Sequence, residues 1–412
     1  MEKFEKIKKI AQKCLKCKNP SCVKGCPFNN PIPQLLSLIE NNNILEACNL
    51  LFSNTNVPYI CSNLCDKEKS CYGSCILNKK GDPVPFYQVE EFLSSFYNEE
   101  ILKKSNKINK KALIIGSGVA GLNAAIMLSQ EGFNVIIIEK ECKIGGVINN
   151  SLPKFRFDDS ILNTYEKILN ALDIEVVLNK EFSKDILFDD LLKYDVCVFA
   201  MGTMSSKKNF DDDRFVIDAI EILSEYKKGI ERIKNKKVIV TGGGNVAMDV
   251  ARTLVRCNND VTIVYRRDLE NAPSSKYEIN LAKEEGVKFL ECFTPVSLNI
   301  EQDILKSVTF EKTILVEDPT SSRKKFEKTG MFENIECDFI IEAIGQNADY
   351  NYIKSKLPIM FNEEGWPINE CIMFENTLFV CVGDYNLGAS SFAKAANHSK
   401  QIVRKVVENI WE

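Results

Sequence analysis

The stretch "ALIIGSGVAGLNAAIMLSQEGFNVIIIEK", residues 112–140, changes periodicity twice. Ala112–Ile115 is a short apolar run bounded by glycine, which reads as a strand buried on both faces. Leu122 to Leu128 carries helical spacing, and Asn134 to Ile138 returns to a β-branched run. Strand, glycine turn, helix and strand in that order open a parallel doubly wound sheet.

The glycine spacing assigns three tasks. Gly116 permits the tight turn, Gly118 lets the backbone approach a pyrophosphate, and Gly121 allows close packing of helix on strand. The helix start, with Ala120 in its first turn, offers amides and partial positive charge to the phosphates. Glu139, followed by Lys140, ends the second strand where a carboxylate accepts bonds from a ribose 2′-hydroxyl. The pattern recurs at "KVIVTGGGNVAMDVARTLVR", residues 237–256, followed by "DVTIVYRR". Gly242, Gly244 and Ala247 repeat the three roles, with Gly243, Asn245 and Val246 between them. Here the strand ends on Tyr265, Arg266 and Arg267, with no carboxylate. Arginine pairs with a 2′-phosphate, so NADPH is expected over NADH, which stays open.

Composition bounds the rest. The chain has 412 residues and a net charge of −4, which suits two or three soluble domains and argues against a nucleic-acid partner. The opening "MEKFEKIKKI" lacks an apolar signal core, and the run Ala112–Leu128 is too interrupted to span a membrane. A cytoplasmic protein is expected. Sixteen cysteines without an export signal speak against a disulfide framework. The single histidine, His398, reads as a solvated residue of a C-terminal helix.

Nine of the cysteines fall between Cys14 and Cys75. Cys14, Cys17, Cys22 and Cys26-Pro27 give C-x2-C-x4-C-x3-C-P, a ferredoxin run with a lengthened middle gap. Cys61, Cys65, Cys71 and Cys75 follow in "CSNLCDKEKSCYGSC". Zinc also accepts loop-borne thiolates, and reduced structural thiols are a third reading. Iron–sulfur clusters are favoured by their company, because two nucleotide sites supply electrons that need somewhere to go.

These motifs together resemble the glutamate synthase small-subunit family of FAD, NAD(P)H and iron–sulfur flavoproteins. Phrases such as "PSSKYEINLAKEEGVKFLECFTPVSL" and "IIEAIGQ" are similar to the flavoprotein subunit of bacterial NAD-dependent dihydropyrimidine dehydrogenases. The resemblance implies FAD at the first site, touched also by Gly145 and Gly146 of "CKIGG", Arg156, Gly202, Gly383 and Asp384, the last on the ribityl chain. It implies that the helix after "LGASS", with Ser390 and Ser391, aims its amino end at the isoalloxazine. Gly345, in the turn 343–346, is expected between flavin and nicotinamide. Two [4Fe–4S] clusters follow from it: Cys14, Cys17 and Cys22 with Glu90 (Glu91 as the neighbouring choice), and Cys26, Cys65, Cys71 and Cys75. Cys61 is a spare packed nearby. The chain departs from the family at "NNSLPKFRF" after the double glycine, and "CSNLC" lacks an arginine common there.

The expected fold is α/β: a helical iron–sulfur domain at 1–105, an FAD domain at 106–205 and 335–412, and an inserted NAD(P)H domain at 206–334. "EDPTSSRKKFEKTG" reads as a charged surface loop. The implied function is electron entry: NAD(P)H reduces FAD, and the clusters pass electrons to a separate substrate-reducing subunit, of dihydropyrimidine dehydrogenase or glutamate synthase type. A thioredoxin-reductase-like activity would need a C-x-x-C in the second domain, where Cys257 and Cys292 stand alone. A zinc-bearing, non-catalytic flavin module is the remaining rival.

Overall fold

The computed structural model describes residues 2–97, 102, 105–203, 205–317, 324–368 and 371–411. They form two units: Met1–Asn149 with Phe157–Met204 and Ala348–Glu412, and Asn150–Arg156 with Ser205–Asn347.

In the first unit, the helices Glu2–Gln12, Ile32–Glu40, Ile44–Phe52, Pro58–Leu64 and Phe86–Ser94 precede the sheet. Prolines at the first turns of Ile32–Glu40 and Pro58–Leu64 fit there because those amides have no intrahelical acceptor. One face of each helix buries Leu35, Ile39, Leu51, Ile60, Val89 and Leu93, leaving the cysteine loops to hang from a small apolar core. The sheet has six strands in the order Cys371–Phe374, Thr377–Cys381, Val196–Phe199, Lys111–Ile115, Asn134–Ile138, Glu175–Val177. All pair in parallel except the Cys371–Phe374 edge. The helix Phe392–Trp411 lies along Val119–Gln130, with Ser399 Oγ donating to the Ala120 carbonyl and Asn123 Nδ2 to that of Ala396.

The second unit holds a parallel sheet ordered Val216–Asp218, Phe339–Glu342, Lys237–Thr241, Asp260–Tyr265, Lys288–Glu291. An antiparallel sheet of Phe293–Glu301, Ile304–Val316 and Lys325–Glu336 adjoins it.

Three expectations change. Phe339–Glu342 pairs with Lys237–Thr241, so the second unit runs past residue 334 to Asn347. The segment Asn150–Arg156 also belongs to that unit. The supposed surface loop is part strand: Lys325–Lys328 pairs with Thr313–Val316 in the long hairpin, a pairing that local composition does not announce. Residues 318–323 of that phrase, and Lys104 of the expected linker, lie outside the described residues. Among the described residues no helix is long and apolar enough to cross a membrane.

Candidate functional site

The first glycine turn is built as its spacing demands. Gly116 has φ +100, a left-handed conformation, and a Cβ there would meet the Ala200 carbonyl at 2.6 Å. A Cβ on Gly121 would overlap the Gly116 carbonyl oxygen. Gly118 faces open space, with nothing within 4 Å of an added Cβ, beside the amino end of Val119–Gln130. That cradle fits a pyrophosphate. Glu139 is buried at the end of Asn134–Ile138 and accepts from the Ser117 amide at 2.9 Å, the Ser117 hydroxyl at 2.5 Å and the Glu141 amide at 3.0 Å. Lys140 beside it is exposed.

Around the same turn, a Cβ on Gly146 would come within 3.0 Å of the Gly118 Cα, and one on Gly145 would press on Leu162. Gly202 closes the neighbouring strand in open space. A Cβ on Gly383 would strike Ala120 at 2.5 Å, so this turn closes tightly on the first helix. Asp384 accepts from Ser390 Oγ at 2.5 Å, and burial raises its pKa against that bond. Ser391 precedes the helix Phe392–Trp411 and its hydroxyl accepts from the Lys394 amide. His398 is only half-exposed: its Nδ1 accepts from the Gly383 amide at 3.1 Å, which corrects its reading as a solvated residue. Sequence spacing could not bring residue 398 back to 383.

In the second unit Gly242 has φ +137 and a Cβ there would overlap the Ala343 carbonyl oxygen. Gly243 lies on the Tyr265 ring, where a Cβ would come to 2.7 Å. Gly244 is open, its nearest neighbour a Pro273 carbon at 3.9 Å, and Ala247 is buried in the third role. Asn245, at the helix start, is exposed and accepts from Ser274 Oγ at 2.9 Å, and Val246 is partly buried beside it. Gly345 accepts from the Lys207 amide at 3.0 Å. The two arginines differ. Arg266 is exposed and lies 4.8 Å over the Phe326 ring. Arg267 is buried, its Nε donates 2.9 Å to the Lys324 carbonyl, and its Nη1 meets no acceptor among the described residues. A buried cationic donor without an acceptor fits an anionic ligand.

Arg156 has its partners among the acidic residues of its own unit. Its guanidinium lies in the second unit, 2.6 Å from Asp249 and 3.6 Å from Glu278. Arg252 extends the network to Glu278 and Glu285, and Phe155 lies against both Arg252 and Arg256. The carboxylates that claim Arg156 lie about 90 positions and more away, so no local pattern announced them.

The N-terminal cysteines ring two neighbouring cavities. Cys14, Cys17, Cys22, Cys71 and Cys75 line the first, with Leu15, Ile76 and Leu77. Cys26, Cys61, Cys65, Cys71 and Glu90 line the second, with Phe28, Asn30, Tyr87 and Ala393. This separates residues that the family resemblance grouped: Cys75 stands with Cys14, Cys17 and Cys22, whereas Glu90 stands with Cys26, Cys65 and Cys71. Glu91 does not line either cavity. The chain folds so because Cys75 follows a turn that brings Ser74 onto Gly25 and Ser21, next to Cys22. Glu90 is buried, accepts from Asn30 Nδ2 at 3.1 Å, and is pushed up to about 8 by burial. Burial likewise raises Cys22 and Cys26 to about 11 and Cys65 to about 12, so ligation must displace protons from these thiols. Among the described residues no three His, Cys, Asp or Glu side chains converge on one ion. Cys14, Cys17, Cys22 and Cys75 around one cavity, and Cys26, Cys65 and Cys71 with the buried carboxyl of Glu90 around the other, are donor sets that fit iron–sulfur clusters.

Comparison with known proteins assigns the two halves of the chain to families. Residues 2–101 match the family model described as dihydropyrimidine dehydrogenase domain II, 4Fe–4S cluster, and residues 110–372 match that of pyridine nucleotide-disulphide oxidoreductases. The small chain of NADPH glutamate synthase from Escherichia coli K12 is 31% identical over 81% of this chain and 76% of its own. The NAD-dependent dihydropyrimidine dehydrogenase subunit PreT of Escherichia coli O157:H7 is 29% identical over 82% and 80%. In structure, Mycobacterium tuberculosis FprA in complex with NADPH superposes with a TM-score of 0.63 at 16% identity, over 73% of this chain and 85% of that one. Lactococcus lactis thioredoxin reductase does so at 0.53 and 19%, over 73% and 100%. The chain therefore belongs to the pyridine nucleotide-disulphide oxidoreductases, as an FAD-dependent NAD(P)H oxidoreductase with an iron–sulfur domain, of the glutamate synthase small-chain kind.

Proposed function

We propose that the chain is an electron-entry subunit that oxidises NADPH and delivers electrons through two [4Fe–4S] clusters to a separate reductase subunit. The observation that carries this reading is the shared wall of the two cysteine cavities. Cys71 lines both, and the second also touches Ala393, in the first turn of the helix that follows Asp384 and Ser390. FAD held there would supply the chemistry that splits a two-electron hydride into two single electrons and a proton released to solvent.

The protein's own residues orient and insulate. Gly118 and the start of Val119–Gln130 hold the pyrophosphate, Glu139 the adenosine ribose, and Asp384 the ribityl chain. Gly242, Gly243, Gly244 and Ala247 seat NADPH, with Arg266 on its 2′-phosphate. Cys14, Cys17, Cys22 and Cys75 hold one cluster, and Cys26, Cys65, Cys71 and Glu90 the other. The second cavity is walled by Ala393, on the helix that follows Asp384 and Ser390, and would be the one to take electrons from the flavin; the first is rimmed by exposed Leu15 and Ile76 and would pass them outward. No side chain is needed as an acid or base in hydride transfer.

The partner is read as a pyrimidine-reducing subunit, supported by the domain II match over residues 2–101. A glutamate synthase large subunit is the second reading, favoured by the Arg266–Arg267 pair and the 31% identity to an NADPH-linked small chain. The test is an anaerobic spectrum with each nucleotide added separately, followed by each candidate partner. NADPH is expected to bleach flavin and cluster bands together. A chain without iron, or one whose flavin bleaches while its clusters stay oxidised, ends this reading.

A further inference from the structure

Lys400 is only 6% exposed, on the helix Phe392–Trp411. Burying an ammonium is costly unless something compensates it. Its Nζ donates to the Asn54 carbonyl and to Asn54 Oδ1, both at 2.5 Å, and lies 5.6 Å from the centre of the Phe28 ring. Both acceptors are neutral. Arg404 acts against its charge, and Cys26, a wall of the second cavity, would favour it once its thiol gives up its proton to a cluster.

The hydrogen bonds run in one direction. Lysine has no acceptor, so it holds the oxygen of the Asn54 amide towards itself. Asn54 Nδ2 must then point away, and it donates to the Phe28 carbonyl at 2.9 Å and to Asn30 Oδ1 at 2.7 Å. Asn30, 1% exposed, is left with its Nδ2 facing Glu90 Oε1 at 3.1 Å. The ammonium and the Phe28 carbonyl together set which end of the Asn54 amide faces Asn30, and the last donor fixes one oxygen of Glu90. Remove the ammonium and the Phe28 carbonyl alone holds Asn54, so the orientation that aims Asn30 at Glu90 is less tightly fixed. Burial lowers the Lys400 pKa to about 8, which leaves it cationic at neutral pH.

We propose that Lys400 is a positioning residue for the cluster of the Cys26–Cys65–Cys71–Glu90 cavity, orienting Glu90 through Asn54 and Asn30 and favouring the cluster's reduced state with its buried charge. The proposal rests on the cluster assignment above. Reduction adds one negative charge to the cluster, and a fixed cation beside it stabilises that state.

The test is an anaerobic redox titration of the full chain followed by electron paramagnetic resonance. In Lys400→Met, one cluster is expected to become harder to reduce by about tenfold in its one-electron equilibrium, about 59 mV, with an altered signal. The other cluster should be unchanged. Lys400→Arg should restore both. Asn54→Leu keeps the lysine and breaks the relay, so it should alter the same signal even if the Met variant does not load iron. Unchanged midpoints and signals in Lys400→Met or Asn54→Leu, equal shifts in both clusters, or an Arg variant that behaves like the Met variant would overturn the proposal. Cys65→Ser separates the two failures. If it loses no iron, the cluster assignment fails. If it loses iron while the Lys400 and Asn54 variants titrate as wild type, only the relay fails.

Discussion

Arg156 and Asp249 form a 2.6 Å ion pair in which both side chains are largely shielded from water. Burial raises Asp249 to about 6 from 3.8, and Arg156 opposes that rise. A carboxyl whose folded value exceeds its unfolded one loses stability as pH climbs from about 4 through 6. Removing Arg156 leaves an uncompensated buried charge, so Arg156→Met is expected to destabilise the second unit by about 3–5 kcal/mol. The deficit should be larger at pH 7 than at pH 5, and Asp249→Asn in the same chain should recover part of it. Urea midpoints at the two pH values measure this. Equal deficits at both would mean that the pair does not set the pH response.

Gly118 and Gly121 lie three residues apart and respond oppositely to a methyl group. Gly118 has φ −64 and open space, so Gly118→Ala should fold with an unchanged melting temperature after removal of the flavin. Its methyl enters the pyrophosphate cradle, and FAD affinity should fall about tenfold or more, a loss of roughly 1.4 kcal/mol. Gly121→Ala overlaps the Gly116 carbonyl and should lower stability itself. Flavin content and thermal unfolding, measured together, separate the two outcomes.

Arg266 is exposed at the strand end, whereas Arg267 is buried against the Lys324 carbonyl. Losing a charged hydrogen bond to phosphate costs about 1.5–3 kcal/mol. Arg266→Ala should therefore lower kcat/KM for NADPH about ten- to hundredfold and leave NADH turnover nearly unchanged. Arg267→Ala should destabilise the fold in addition. Equal losses with both nucleotides in Arg266→Ala would remove it from the phosphate site.

The cysteine grouping is open to an additivity test. Cys75→Ser and Cys14→Ser should each lose about half the iron, and combining them should lose no more. Cys75→Ser with Cys65→Ser should lose nearly all of it. The grouping implied by family resemblance places Cys75 and Cys65 on one cluster and predicts the reverse. Cys61 lines the second cavity, so Cys61→Ser asks whether it or Glu90 completes that site: retained iron leaves the place to Glu90.

Both glycine turns and both parallel sheets were legible because their signals are local: apolar runs, glycines at fixed offsets, and the residue ending the next strand. The rest depends on pairings across long separations. Phe339–Glu342 reads as a buried strand, yet only its pairing with Lys237–Thr241 says which sheet owns it. Arg156 stands 93 positions from Asp249, and Lys400 346 from Asn54. Glu90 entered as a ligand through the family resemblance, but its place beside Cys26 needs the fold, since consecutive cysteines in the chain wall different cavities.

Cys71 sits in the partition between the two cavities, inside the turn that also supplies Cys65 and Cys75. A substitution at that partition should therefore be felt on both sides of it, whereas changes at Cys14 or Cys65 stay within one cavity, so that a molecule emptied on one side can still be filled on the other.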